Sequence, residues 1–322
     1  MSLHEEIVAN LTGYSKAMYA TWFYYRPARI LLDAGEGVSA AMGNFVFGIE
    51  KVFLSHGHYD HIGGLPGLLQ SRRSARGDKE KPLEVYFPDG DDLIGLMRRY
   101  IESLTYRLGY QLSWHPIEPG QRVELGFEGQ RGHLVPFRSR HGRSLALGYN
   151  VMEERKRLRA KYADLSQEEI ARLARSVPPG ELNETYEKIL LAYSGDTMPL
   201  DPDTVRDAEV LVHEATFLDR RDRETPTHAT VEEAIRVAVD AGVKALVLFH
   251  VSSRYPGRKA REHVAAVAAR LAPHLHVTLQ AEHGGGRLLA SGILTALGIF
   301  LHNFPEGFAV ASGYAASKRL GI

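Results

Sequence analysis

The sequence predicts a layered α/β fold, with sheets packed inside and helices outside. Three observations predict it. Short apolar runs bounded by turn residues recur through the first half of the chain. Amphipathic helices alternate with such runs in the second half, and a histidine-rich string directly follows one of the runs. With 322 residues, 44% hydrophobic and 24% charged, the chain has the bulk of one large two-layered domain or two modest ones.

Residues 29–33 form an apolar run ending in Asp33-Ala34-Gly35, which reads as a buried strand and a turn. Lys51-Val52-Phe53-Leu54 is a second strand that runs straight into His56. Gly63-Gly64-Leu65-Pro66-Gly67-Leu68-Leu69 reads as a turn feeding a helix. Further strands are predicted near 83–87, 111–117, 122–126 and 131–137, with a helix over 91–108. The stretch 151–190 is charge-rich, helical in pattern and interrupted by Pro178-Pro179-Gly180. Strands return at Ile189–Tyr193, Glu209–His213, Ala245–Phe249 and His276–Leu279. Thr230–Ala241 and Arg258–Leu271 are amphipathic helices, the first opened by a Thr230 N-cap with Glu233 three residues on.

Composition removes several chemistries. There is no cysteine, so disulfides, thiolate zinc sites and cysteine nucleophiles are excluded, and a metal would need His, Asp and Glu. Lys+Arg and Asp+Glu both number 39, so a nucleic-acid partner would have to meet a local basic patch. The N-terminus lacks the basic-then-apolar pattern of a signal peptide, and a cytoplasmic body is expected.

The string His56-Gly57-His58-Tyr59-Asp60-His61 carries the chemistry. Side chains alternate along a strand, so these four ligand-type groups can converge only from a loop at the strand end. Imidazole and carboxylate together suit zinc, manganese or iron.

This string resembles the HxHxDH signature of the metallo-β-lactamase superfamily, whose fold is a four-layered αββα sandwich. The matching later ligand positions are His141 in Arg140-His141-Gly142, Asp196 in Ser194-Gly195-Asp196-Thr197 and His250 in Leu248-Phe249-His250. His133 lies near His141 on the same stretch. The resemblance implies two divalent metal ions, with Zn2+ favoured over Mn2+ or Fe2+. One would take His56, His58 and His141, the other Asp60, His61 and His250, with Asp196 bridging.

The second half resembles ribonuclease Z, the tRNA 3′-end endonuclease. The motifs are His213-Glu214-Ala215-Thr216-Phe217, Thr227-His228-Ala229-Thr230 and His250-Val251-Ser252-Ser253-Arg254-Tyr255, with Gly64-Leu65-Pro66-Gly67-Leu68-Leu69 and Gly148-Tyr149. The likeness covers roughly residues 30–280. It implies a homodimer acting on precursor tRNA. Asp60 would accept the proton of attacking water, and His228, oriented by Glu214, would protonate the departing 3′-oxygen. Ser253 and Arg254 would bind substrate. That family opens with a Gly-Thr-Gly turn; Asn10-Leu11-Thr12-Gly13-Tyr14 stands here, so an altered first hairpin is expected.

Between Arg131 and Lys161 the chain carries nine basic residues, Arg131, Arg138, Arg140, Arg143, Arg155, Lys156, Arg157, Arg159 and Lys161, against Glu153 and Glu154. Such a local excess suits phosphate contacts. In ribonuclease Z a protruding tRNA-gripping arm occupies the place of residues 151–190, although the insert is short for a full arm.

The predicted hydrolase domain spans 1–283. Beyond Gly284-Gly285-Gly286, residues 288–316 are almost wholly apolar and long enough to span a bilayer. His302-Asn303-Phe304-Pro305-Glu306-Gly307 resembles one transmembrane helix of ZIP-family metal transporters, where His, Asn and Glu bind metal. Residues 284–322 are therefore expected to be an apolar helical tail: a fused or foreign segment, a membrane anchor, or a surface packed on the body or a dimer interface. Two further readings stand beside an RNA endonuclease. One is a hydrolase of a small phosphodiester or other ester; the other is a membrane metal-binding or transport component centred on His302 and Glu306.

Overall fold

The computed structural model describes residues 1–73, 81–104, 108–127, 130–178 and 180–280. The chain divides into two units, Met1–Ala281 and Glu282–Ile322. The second lies outside the described residues, and with it the expected ZIP-like tail. No helix among the described residues is long and apolar enough to cross a membrane.

The first unit is built on two sheets. One has the order β1 (Leu11–Lys16), β2 (Ala20–Tyr25), β3 (Ile30–Leu32), β4 (Lys51–Phe53), β5 (Leu83–Pro88), β6 (Leu112–Ile117). The other comprises β7 (Val123–Phe127), β8 (Gln130–His141), β9 (Ser144–Leu158), β10 (Asn183–Tyr193), β11 (Val210–Glu214), β12 (Ala245–Phe249) and β13 (His276–Leu279), again side by side in sequence order. Each sheet begins antiparallel and turns parallel, at the β3/β4 and β10/β11 pairs respectively. The central parallel strands β3, β11 and β12 are wholly buried and, His213 and Glu214 apart, apolar, as strands covered on both faces require.

Helices close both outer faces. Helix α1 (Leu3–Ala9) opens the chain. On the first sheet pack α2 (Val38–Met42), α4 (Leu65–Arg73) and α5 (Asp92–Leu104), through Val38, Leu65, Leu68, Leu69, Ile94 and Ile101. The short α3 (Tyr59–Ile62) lies in the histidine string, and α6 (Gln167–Leu173) lies between β9 and β10. On the second sheet pack α7 (Val231–Asp240) and α8 (Gly257–Leu271), through Ala234, Ile235, Ala260 and Val264. Between the sheets lies an aromatic core in which Phe23, Tyr193 and Phe249 meet at ring-centroid distances of 5.3–5.7 Å. Each such buried ring contributes on the order of 2–3 kcal/mol. The expected four-layered αββα sandwich is what the chain forms.

One expectation is corrected. Among the described residues the helical reading of 151–190 holds for Gln167–Leu173 and a single 3-10 turn at Ala160–Tyr162. Its two ends, 151–158 and 183–190, extend two long antiparallel strands, paired from Asn183↔Leu158 to Tyr193↔Tyr149. Charged residues there pair along and across the ladder rather than lining a helix: Arg157 meets Glu184 on the facing strand at 2.6 Å, and Arg155 meets Glu153 on its own strand. The basic excess is correspondingly smaller than the sequence count, since Lys161 also approaches Glu181 at 3.8 Å. The first hairpin, β1–β2, is present without the Gly-Thr-Gly turn.

Candidate active site

The parallel strands of both sheets deliver their C-terminal ends to one edge of the sandwich, the usual place for a ligand in α/β sheets. Asp33 follows β3, His56 follows β4, Asp196 follows β10, Glu214 ends β11 and His250 follows β12. Asp33 and His250 have left-handed backbones, φ 56° and 60°. This conformation is costly for non-glycine residues and is tolerated where the surroundings over-determine it. Gly195 also has φ 56°, and a Cβ there would sit 2.8 Å from the Leu147 carbonyl oxygen and 2.9 Å from Ser55 Cβ. Only glycine lets the chain turn Asp196 inward at this point.

The structure brings all seven sequence-predicted metal residues together. His56, His58, His141 and Asp196 form one group, and Asp60, His61 and His250 another; within each, the ligand atoms lie within 4.8 Å of one another. His56 Nε2 is 2.9 Å from His58 Nδ1, which is 3.3 Å from His141 Nε2. In the other group His250 Nε2 is 3.2 Å from Asp60 Oδ2 and 3.3 Å from Asp196 Oδ2. Asp196 stands between the groups, its Oδ1 3.4 Å from His61 Nε2. These two atoms are buried without a hydrogen-bond partner. Two orphaned acceptor-type atoms facing each other among imidazoles are what a cation site needs, and the donor set suits a divalent metal.

The far side of four of the five rings is held; His58 instead turns its Nδ1 toward His56 and His141. His61 Nδ1–H donates directly to Asp33 Oδ2 at 2.7 Å. His56 Nδ1–H donates at 2.9 Å to Ser55 Oγ, whose hydroxyl donates to Asp33 at 2.8 Å. On the other sheet His250 Nδ1–H donates at 2.9 Å to Thr216 Oγ1, whose hydroxyl donates to Glu214 at 2.9 Å. His141 Nδ1–H donates to the Thr227 carbonyl at 2.9 Å. Each bond fixes a tautomer and leaves Nε2 facing the centre, as metal-ligating histidines require. Burial pushes the His56 ring well below its ordinary pKa, which keeps it neutral as a ligand must be. Burial opposes protonation of His61 too, but the Asp196 and Asp33 carboxylates outweigh it and raise its pKa well above normal, so a divalent ion would bind at Nε2 by displacing a proton. Burial raises Asp60, yet the His250 bond and the charge on His61 prevail and hold it at about 2.

Beside the cluster stands a second constellation. His228 Nδ1 lies 2.9 Å from Glu214 Oε1, and its ring is 4.7 Å from that of His141 and 5.3 Å from that of His250. Glu214 is fully buried and also accepts from the backbone N–H of Thr197, Thr216 and Ala229 at 2.9–3.1 Å. Burial lowers the His228 pKa, but Glu214 and then Asp196 dominate and push it up to about 9. The ring therefore carries a proton at neutral pH.

The remaining predicted residues are placed differently. Arg254 sits over the Phe217 ring at 5.4 Å and contacts Ser252 Oγ at 3.2 Å, and Ser253 is exposed on the loop after His250; neither joins the His/Asp cluster. His133 is turned away, its Nε2 3.3 Å from Glu187. Sequence reasoning missed Asp33, Ser55 and Thr216 as supports of the rings, and Arg223 entirely. The Asp33 carboxylate directly before Ala34-Gly35 is visible in the sequence, but its partner Ser55, two residues past β4, is not. A groove lined by Tyr59, Ile62, Leu93, Leu96, Met97 and Tyr100 opens beside His58 and was also not foreseen.

Such a sandwich, with a two-part His/Asp cluster at one edge, defines a metal-dependent hydrolase of the β-lactamase type. A model of the beta-lactamase superfamily domain matches residues 28–163 and 185–251. Ribonuclease Z of Halobacterium salinarum is 33% identical over 254 residues, covering 70% of this chain and 79% of that protein. Ribonuclease Z of Bacillus velezensis is 34% identical over 240 residues, covering 65% and 72%. The crystal structure of human tRNase Z, short form, superposes with a TM-score of 0.55 at 20% identity, covering 84% of this chain and 95% of that one, a likeness of fold. The chain belongs to the beta-lactamase superfamily and, within it, to the ribonuclease Z family.

Proposed function

We propose that this chain is an endoribonuclease that removes the 3′ trailer of precursor tRNA by hydrolysing one phosphodiester. The observation that carries the reading is the His228 ring, its Nδ1 held 2.9 Å from buried Glu214 at the rim of the His/Asp cluster. A phosphodiester with an alkoxide leaving group needs a proton donor on one side and charge stabilisation on the other. The substrate class comes from the relatives named ribonuclease Z.

His56, His58 and His141 would hold one divalent ion and Asp60, His61 and His250 the other, with Asp196 shared. When bound, such a pair, with Zn2+ favoured, offsets charge developing on the phosphoryl oxygens and acidifies water. Asp60, ionised at neutral pH, accepts the proton of the attacking water. His228 donates its proton to the departing 3′-oxygen, and Glu214 keeps the ring protonated and aimed. Arg254 and Ser253, on the loop after His250, would meet RNA beyond the scissile bond. The β9–β10 extension, with Lys156 and Arg159, would act as a phosphate-contacting arm, and the groove beside His58 offers Tyr59 and Tyr100 for base stacking. The family resemblance further carries a homodimer and a cytoplasmic site of action.

The test is incubation of the full chain with a precursor tRNA bearing a 3′ trailer, with metal-stripped protein and Asp60→Ala in parallel. Cutting at the trailer junction that both controls lose supports the reading. Absence of cutting by folded, metal-loaded protein that still hydrolyses small diesters would replace it with a small-phosphodiester hydrolase.

A further inference from the structure

The loop carrying His228 runs from Phe217 to Val231, and its ends are joined: Phe217 N–H donates to the Ala229 carbonyl at 3.2 Å and Val231 N–H to the Phe217 carbonyl at 2.9 Å. Between them, two successive carbonyls are gripped by different partners. That of Thr227 accepts from His141 Nδ1–H at 2.9 Å, and that of His228 accepts from Arg223 Nη1 at 3.0 Å. The Arg223 side chain is only 8% exposed. Its guanidinium also forks Glu233, Nη1 to Oε2 at 2.7 Å and Nη2 to Oε1 at 2.9 Å. Glu233 lies in the first turn of α7, where its carboxylate accepts Thr230 N–H at 2.9 Å in a capping box.

A bidentate arginine–carboxylate pair adds geometry as well as energy. Here it is anchored on a packed helix and reaches the main chain of the residue whose ring faces the cluster. Fixing that carbonyl restricts the backbone rotation that would swing the imidazole off Glu214. It also holds the neighbouring Thr227 carbonyl under His141. We infer that Arg223 is a positioning residue, which clamps the 217–231 loop so that His228 and His141 keep their relative placement. It acts through His228 and rests on the proton-donor role proposed above.

The test compares Arg223→Met, Arg223→Lys and His228→Ala with the parent as full chains, folding being checked by circular dichroism. Two substrates are used at saturation: a precursor tRNA, whose ribose 3′-oxygen needs a proton to leave, and bis(p-nitrophenyl) phosphate, whose phenolate does not. The readouts are the ratio of the two kcat values and hydrogen–deuterium exchange of the 227–230 amides in metal-free protein. Both Arg223 variants are expected to lower the ratio by about 10-fold to 100-fold, the cost of misplacing a catalytic group by about an ångström. They are also expected to speed exchange, Arg223→Lys less than Arg223→Met, since lysine has no fork. A lowered ratio in His228→Ala with parental ratio and exchange in both Arg223 variants would overturn the inference alone. An unmoved ratio in His228→Ala would overturn the proton-donor role itself. Should Arg223→Met fail to fold, Glu233→Gln with Arg223→Lys carries the same comparison.

Discussion

The Tyr193 hydroxyl donates to Asp33 Oδ2 at 2.5 Å, from the last residue of β10 on one sheet to the residue after β3 on the other. Asp33 thus ties the two halves of the sandwich together at the edge where the cluster forms. It also accepts Ser55 N–H at 2.6 Å, the Ser55 hydroxyl and His61 Nδ1–H. A single buried carboxylate is therefore connected to a histidine in each of the two metal-type groups. Glu214 repeats the device on the second sheet, serving His228 directly and His250 through Thr216.

Asp33→Asn is expected to weaken both metal-binding steps by about 10-fold to 100-fold, the usual cost of losing an outer-sphere carboxylate. Ser55→Ala removes the relay to His56 and a longer 3.4 Å contact to His61 but keeps the direct Asp33–His61 bond, and is expected to weaken chiefly one step. Zinc titration against a competing chelator separates them; equal effects of the two variants would contradict the wiring.

Glu214→Gln places an amide donor among groups that all donate, three of them backbone N–H. At a fully buried position this mismatch costs about 2–3 kcal/mol. The variant should melt lower than the parent and lose on the order of 100-fold in kcat through disorientation of His228. Thermal denaturation with steady-state kinetics checks both, and a variant with parental Tm would count against the burial argument.

Acid should destabilise the loop clamp. Burial raises the Glu233 carboxyl, but the Arg223 fork and the Thr230 cap outweigh it and hold its folded pKa below normal. A depressed folded value stabilises the native state fully above the unfolded pKa of about 4.3, and that contribution fades as pH falls through the folded value. Glu233→Gln should therefore be less stable at neutral pH and show a shallower loss of stability below about pH 4. Denaturant melts across pH measure this, and parallel curves for parent and variant would disagree with it.

Gly195→Ala forces a Cβ into the Leu147 carbonyl and Ser55 at a left-handed backbone. A stability loss of about 1–3 kcal/mol is expected, together with weaker binding of both metals, because Asp196 is displaced from between the groups. Metal content after dialysis, read by atomic emission, tests it; two tightly held ions in the variant would contradict the role given to Gly195.

Much of this was legible in the sequence. The apolar runs at 51–54, 189–193 and 245–249 became β4, part of β10 and β12, because strands buried on both faces need continuous apolar residues. The helix at 230–241 announced itself through its capping box. The cluster residues stood out because histidine and aspartate immediately follow those strands. The two long strands flanking Gln167–Leu173 were not legible: their outer halves are charged, and only the cross-strand partner explains why Arg157 and Glu184 belong to a ladder. The supports of the site were hidden for a related reason. Ser55, Thr216 and Arg223 are ordinary residue types whose role exists only once distant segments meet, as Arg223 shows by gripping a carbonyl five residues on and a carboxylate ten residues on.

The most direct test of the proposed hydrolysis is the chemistry of the product ends after the full chain cuts a precursor tRNA. Attack by water with a proton delivered by His228 to the departing 3′-oxygen predicts a tRNA ending in a 3′-hydroxyl and a trailer beginning with a 5′-phosphate. A 2′,3′-cyclic phosphate on the tRNA with a 5′-hydroxyl on the trailer would mean that the ribose, not water, attacks, and would contradict the roles given to Asp60 and His228.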